Sequence, residues 1–80
     1  MVSIWQNYLY LREQLSAMGV AEADLEAREL MACAAGLDPR DTMRWKSIGL
    51  TPEAEQRAEA FLQRRQQEEP LAYLLGEWDF

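Results

Sequence analysis

Paired carboxylates are the residues here whose type and spacing come nearest to acid–base chemistry. Glu53 and Glu55 sit two apart, and Glu68 and Glu69 are adjacent. Such pairs can divide the roles of general acid and base when their surroundings push their pKa values apart. Both pairs fall at helix ends in polar sequence, where capping and solvation account for them better. The other usual agents are missing: there is no histidine, and Cys33 is the single cysteine. A histidine base, a histidine metal ligand and a multi-cysteine zinc site are therefore excluded. Cys33 lies in an alanine-rich stretch and reads as a small apolar residue rather than a nucleophile. No glycine-rich phosphate loop of the dinucleotide-binding or P-loop kind occurs.

Residues suited to binding are more evident. Arg40 and Arg44 stand four apart with Lys46 close by, a basic cluster that can dock an acidic or phosphorylated partner or pair with neighbouring acids. Trp5 and Trp45 fall on apolar stripes and should be core, each indole N–H finding a partner. Trp78 and Phe80 end the sequence after the last helical pattern. Two such aromatics are costly in water, so they should fold back on the domain or be covered by something else.

These side chains must be carried by helices. Ser3 and Gln6 form a capping box ahead of Ile4, Tyr8, Leu11, Leu15 and Met18, which recur at helical spacing. Gly19 closes that helix. A second runs from an acid-rich start through Ala27, Leu30, Met31 and Ala34 to a stop at Gly36, with Leu37 packing back. Asp38-Pro39 predicts the opening of a short third helix carrying Met43 and Trp45 and fading near Ser47. Thr51-Pro52 opens a fourth, with Ala54, Ala58, Phe61 and Leu62 buried and Arg64-Arg65 at its negative end. Pro70 begins a last short helix through Leu71, Leu74 and Leu75 to Gly76. The expected fold is all-α: one domain over residues 1–80, a small bundle of about five helices with short connections, its C-terminal residues leading into a linker.

Composition narrows the partners. Asp and Glu number 14 against 8 Lys and Arg, for a net charge of −6. Nucleic-acid binding, which gathers its affinity from cations on phosphates, is disfavoured, including a helix-turn-helix reading of Arg40, Arg44 and Lys46. A basic protein partner is favoured by electrostatic steering. Apolar runs fall far short of the roughly 20 residues of a membrane span. A lone thiol and the absence of an export signal fit the cytoplasm, and a monomer is expected.

The tail E-P-L-A-Y-L-L-G-E-W-D-F, Glu69 to Phe80, resembles the signature that closes the N-terminal domain of the HemK (PrmC) family, the peptide chain release factor glutamine methyltransferases. Two earlier stretches resemble the same family in order: L-E-A-R-E-L-M-A-C-A-A-G-L from Leu25, and L-T-P-E-A-E-Q-R-A-E-A-F-L-Q-R-R from Leu50. Trp78 departs from the pattern, standing where many members carry a basic residue, while Phe80 matches its closing aromatic.

The resemblance implies a helical domain joined by a linker to a Rossmann-like catalytic domain. That enzyme transfers a methyl group from S-adenosylmethionine to the glutamine of the G-G-Q motif in class-1 release factors. The cofactor-binding and N-P-P-Y segments of such enzymes are not among these residues. No catalytic, cofactor-binding or metal residue is therefore expected here, and no cofactor is expected on this chain alone. The implied partners are the release factor and the parent's own catalytic domain. Within this reading Glu26 and Glu29 are the expected acidic contacts for a basic release factor, beside Arg40, Arg44, Trp78 and Phe80 as further contact candidates. A free-standing helical adaptor for a protein partner is the alternative.

Overall fold

A computed structural model describes residues 2–67. Three α-helices and one 3-10 helix follow in chain order: α1 (Ile4–Ala17), α2 (Ala23–Ala35), the 3-10 helix (Thr42–Ser47) and α3 (Pro52–Gln66). The all-α expectation holds for these residues. The expected last helix after Pro70, and the linker, lie outside them.

Local chemistry sets the helix ends. The Ser3 hydroxyl accepts from the Gln6 amide at 3.1 Å, and the Gln6 side chain accepts from the Ser3 amide at 2.8 Å, which satisfies two first-turn donors reciprocally. At α3, Thr51 Oγ1 accepts from the Ala54 amide at 3.1 Å and Pro52 occupies the first turn. The start of α2 has no such side-chain cap; Asp24 and Glu26 in its first turn supply negative charge at the dipole's positive end instead. At its far end Gly36 takes φ +70°, a conformation that costs a residue with a Cβ. The Leu37 amide then returns to the Ala32 carbonyl at 2.9 Å, and Leu37 packs against the core.

The core joins one face of each helix. Ile4, Tyr8, Leu11 and Leu15 of α1 meet Ala27, Leu30, Met31 and Ala34 of α2, with Ala58, Phe61 and Leu62 of α3 completing it. These are the residues that helical spacing selects. Trp45 adds the largest fully buried side chain, packing edge-on to Tyr8 with ring centroids 5.7 Å apart.

The segment between α2 and α3 departs from expectation. Asp38-Pro39 does not open a helix: the Asp38 carboxylate accepts from the Arg40 amide at 2.9 Å, and the Asp41 amide donates to the Asp38 carbonyl at 3.1 Å. An aspartate bonding its own backbone two residues on makes a turn in competition with a helix. The helix that follows is of the 3-10 type and starts at Thr42. Three residues per turn put Trp45 inward and leave Met43 outside, 87% exposed. Residues 48–50 then run beside the start of α1. The Ile4 amide donates to the Ile48 carbonyl and the Leu50 amide to the Val2 carbonyl, both at 2.8 Å, around an antiparallel bridge between Ser3 and Gly49.

Candidate functional site

Two charged centres hold the helices to one another. The first gathers on Asp24. Tyr8, buried on α1, donates its hydroxyl to the Asp24 carboxylate. Arg28 Nε lies 3.3 Å and Arg12 Nη1 3.6 Å from the same carboxylate. The Arg12 guanidinium also lies 5.6 Å from the centre of the Tyr8 ring. Burial, and secondarily the Asp24 carboxylate, push the Tyr8 pKa above its ordinary value, with Arg12 opposing. A phenol held neutral and hydrogen-bonded in this way is a clamp between α1 and α2, not a nucleophile. Its signal in the sequence was two pairs at helical spacing, Tyr8 with Arg12 and Asp24 with Arg28.

The second centre is a bidentate pair. Arg65 Nε reaches one Glu26 oxygen at 2.9 Å and Nη2 the other at 3.2 Å. Their side chains are 22% and 15% exposed. Paired donors in a partly dry setting make this a strong ion pair that ties the end of α3 to the start of α2. Glu26, expected as a free acidic contact, has both carboxylate oxygens engaged in that tie. Glu29, one turn further along α2, is half-buried, and its carboxylate takes no partner among the described residues.

The basic cluster pairs locally. Arg40 bonds both oxygens of Asp38 at 3.2 Å, and Arg44 lies 3.2 Å from Asp41. The guanidinium of Arg40 holds the exposed Asp38 carboxyl below its ordinary pKa. The Lys46 ammonium stands over the Trp5 ring, 4.8 Å from its centre. Of the two readings of this cluster, the geometry matches salt bridging with neighbouring acids. Trp5 itself is half-buried at the edge of the core. Trp45 is buried as expected, but its indole N–H finds no hydrogen-bond partner among the described residues, contrary to the usual rule. Trp78 and Phe80 lie outside the described residues.

Among the described residues no group of His, Cys, Asp or Glu is placed to hold a metal ion, and no helix is long and apolar enough to cross a membrane. Cys33 is half-buried on α2. Two concavities flank the α1–α2 connection. One, of about 660 Å³, lies between Met18–Glu22 and the ends of α2 and α3 at Glu26, Arg65 and Gln66. The other, of about 750 Å³, lies between Leu9–Ala17 of α1 and Ala23-Asp24 of α2. Val20 and Ala21 line both.

A small helical domain pinned by internal ion pairs, with open grooves at one end, is what fold and surface define. Residues 8–76 match the family model of the PrmC N-terminal domain. The chain belongs to that family and is thereby associated with the PrmC methyltransferases. No curated protein and no solved structure matches the chain.

Proposed function

We propose that this chain is the substrate-holding domain of an S-adenosylmethionine-dependent protein-glutamine methyltransferase that works in the cytoplasm. In this reading it grips a class-1 peptide chain release factor while a catalytic domain of the same protein methylates the G-G-Q glutamine. The match to the PrmC N-terminal domain over residues 8–76 carries the reading. The net charge of −6 favours a basic protein surface as the thing held. Holding contributes to rate by fixing a large substrate in register with a distant reacting group. Cofactor binding and chemistry are assigned to the catalytic domain, and Glu29 is an acidic contact whose carboxylate is not committed elsewhere among the described residues.

Calorimetry and methyl-transfer assays test this together. The 80-residue chain alone should give no heat with S-adenosylmethionine. Joined to a catalytic domain of its family, it should support methylation of a release factor, and removing it should depress that rate. Cofactor binding by the 80 residues alone, or undiminished methylation without them, would overturn the assignment.

A further inference from the structure

We infer that the face formed by Trp5, Lys46 and Met43 is a docking surface for a protein segment that presents an apolar side chain beside an aspartate or glutamate. The Lys46 ammonium stands 4.8 Å from the centre of the Trp5 ring, so the ring holds the cation in place. An aromatic ring, unlike a carboxylate, leaves the lysine its full charge. Lys46 meets no carboxylate among the described residues. The neighbouring cations differ: Arg40 is closed on Asp38 and Arg44 on Asp41, which occupies both acids of the connecting segment. Residues 2–12, which include Trp5, contain no aspartate or glutamate. Met43, three residues before Lys46, is 87% exposed and shares its edge of the 3-10 helix, where side chains i and i+3 eclipse. A thioether and a half-buried indole beside the ammonium offer apolar contact.

Charge and position select this occupant. One uncompensated cation, held in place before binding, favours a carboxylate that arrives with an apolar neighbour, because little side-chain freedom is then lost on contact. A basic segment would meet Lys46 as a like charge. A second copy of the chain brings acids, but two chains of net charge −6 repel one another. The chain's own end carries Glu77 and Asp79 beside Trp78 and Phe80, which is the same chemistry. The described residues, however, finish at the far end of α3, about 22 Å along a 15-residue helix from Pro52 and the connecting segment. A separate partner has no such span to cross.

This surface goes beyond the holding role proposed above, which draws on acidic contacts, and its test involves no methyl transfer. The isotope-labelled 80-residue chain is titrated with a short capped peptide of alternating leucine and glutamate, and with a counterpart carrying lysine for glutamate. The first should shift the Trp5 indole N–H and the amides of residues 42–47, and the second should not. Lys46→Gln should weaken the glutamate peptide about two- to fivefold, as expected for one surface charge contact, whereas Lys46→Arg, which keeps charge and stacking, should retain the affinity. Met43→Ser should weaken it about three- to tenfold through lost apolar contact. Leu25→Ser, which removes an exposed apolar side chain at the start of α2, should leave it unchanged. Circular dichroism checks that the variants keep their helices.

No shifts, shifts centred elsewhere, equal binding of the two peptides, or equal effects of Lys46→Gln and Lys46→Arg would overturn the inference. So would contacts from Trp78 or Phe80 to Trp5 in the free chain, which would make the chain's own end the occupant. Concentration-dependent shifts without peptide would overturn it in favour of a second copy. Failure here leaves the release-factor assignment standing. Failure of release-factor methylation leaves the surface standing.

Discussion

The seam between α2 and α3 and the segment joining them both carry arginine–carboxylate pairs at similar distances. Arg65 approaches Glu26 at 2.9 Å, and Arg40 approaches Asp38 at 3.2 Å. Their surroundings differ. Around the first pair the side chains are 22% and 15% exposed, and the partners come from different helices. Around the second they are 90% and 48% exposed, and the partners are two residues apart. Distance therefore does not rank the two. The first pair restrains tertiary structure in a setting that screens little, whereas the second forms within a turn, where water competes for every donor. The basic cluster that looked most like a docking patch in the sequence is of the second kind.

Substitutions can break or sharpen this contrast. Phe61→Ala, which removes a fully buried ring on α3, should cost about 3–5 kcal/mol in chemical denaturation. In a domain of this size that is enough to unfold much of the population. Glu26→Gln should cost about 1–2 kcal/mol, between the values for exposed and buried pairs, and Arg65→Lys should lose part of the same energy because an ammonium cannot present the bidentate fork. If Glu26→Gln instead leaves the denaturation midpoint in place, the seam pair is no stronger than those of the connecting segment.

A smaller effect should appear at alkaline pH. The Tyr8 pKa is raised above 10.0 in the folded domain, so its contribution to stability is complete below pH 10 and is lost as pH rises through the raised value. Denaturation midpoints followed upward from pH 9 should fall over that window, and Tyr8→Phe should remove that part of the fall. The smallest effect belongs to the connecting segment. Arg40→Ala should lower the midpoint at neutral pH only slightly, less than any substitution above. Asp38, whose pKa Arg40 lowers, stabilises only above the ordinary carboxylate range, and that contribution fades as pH falls through the lowered value.

The two regions were not equally legible in the sequence. The helix bounds at Ser3 and Thr51 follow from side chains that bond the backbone next to them, and the one at Gly36 from the lack of a Cβ, so local sequence suffices. The faces of α1, α2 and α3 follow from periodicity. Residues 38–50 obey neither rule. A proline after an aspartate fits a turn as well as a helix start, and a 3-10 turn has a different period, so the helix was expected to open at Asp38-Pro39 rather than at Thr42. The partners of Glu26 and Asp24 could not be read, because a pairing such as Glu26 with Arg65 is set by tertiary packing. The open end around Val20 left no mark as a motif, since a groove is a property of how helices diverge.

The paired stretch at Ser3 and Gly49 has a consequence for the order in which the chain folds. Helices form from neighbours and are quick, but this pairing must close a loop that contains both α1 and α2. Its two hydrogen bonds can be gained only once those helices have docked, so their formation belongs on the native side of the folding barrier. Exchange of the Ile4 and Leu50 amides with solvent would then report whether the first turn of α1 opens by itself or only when the whole bundle does.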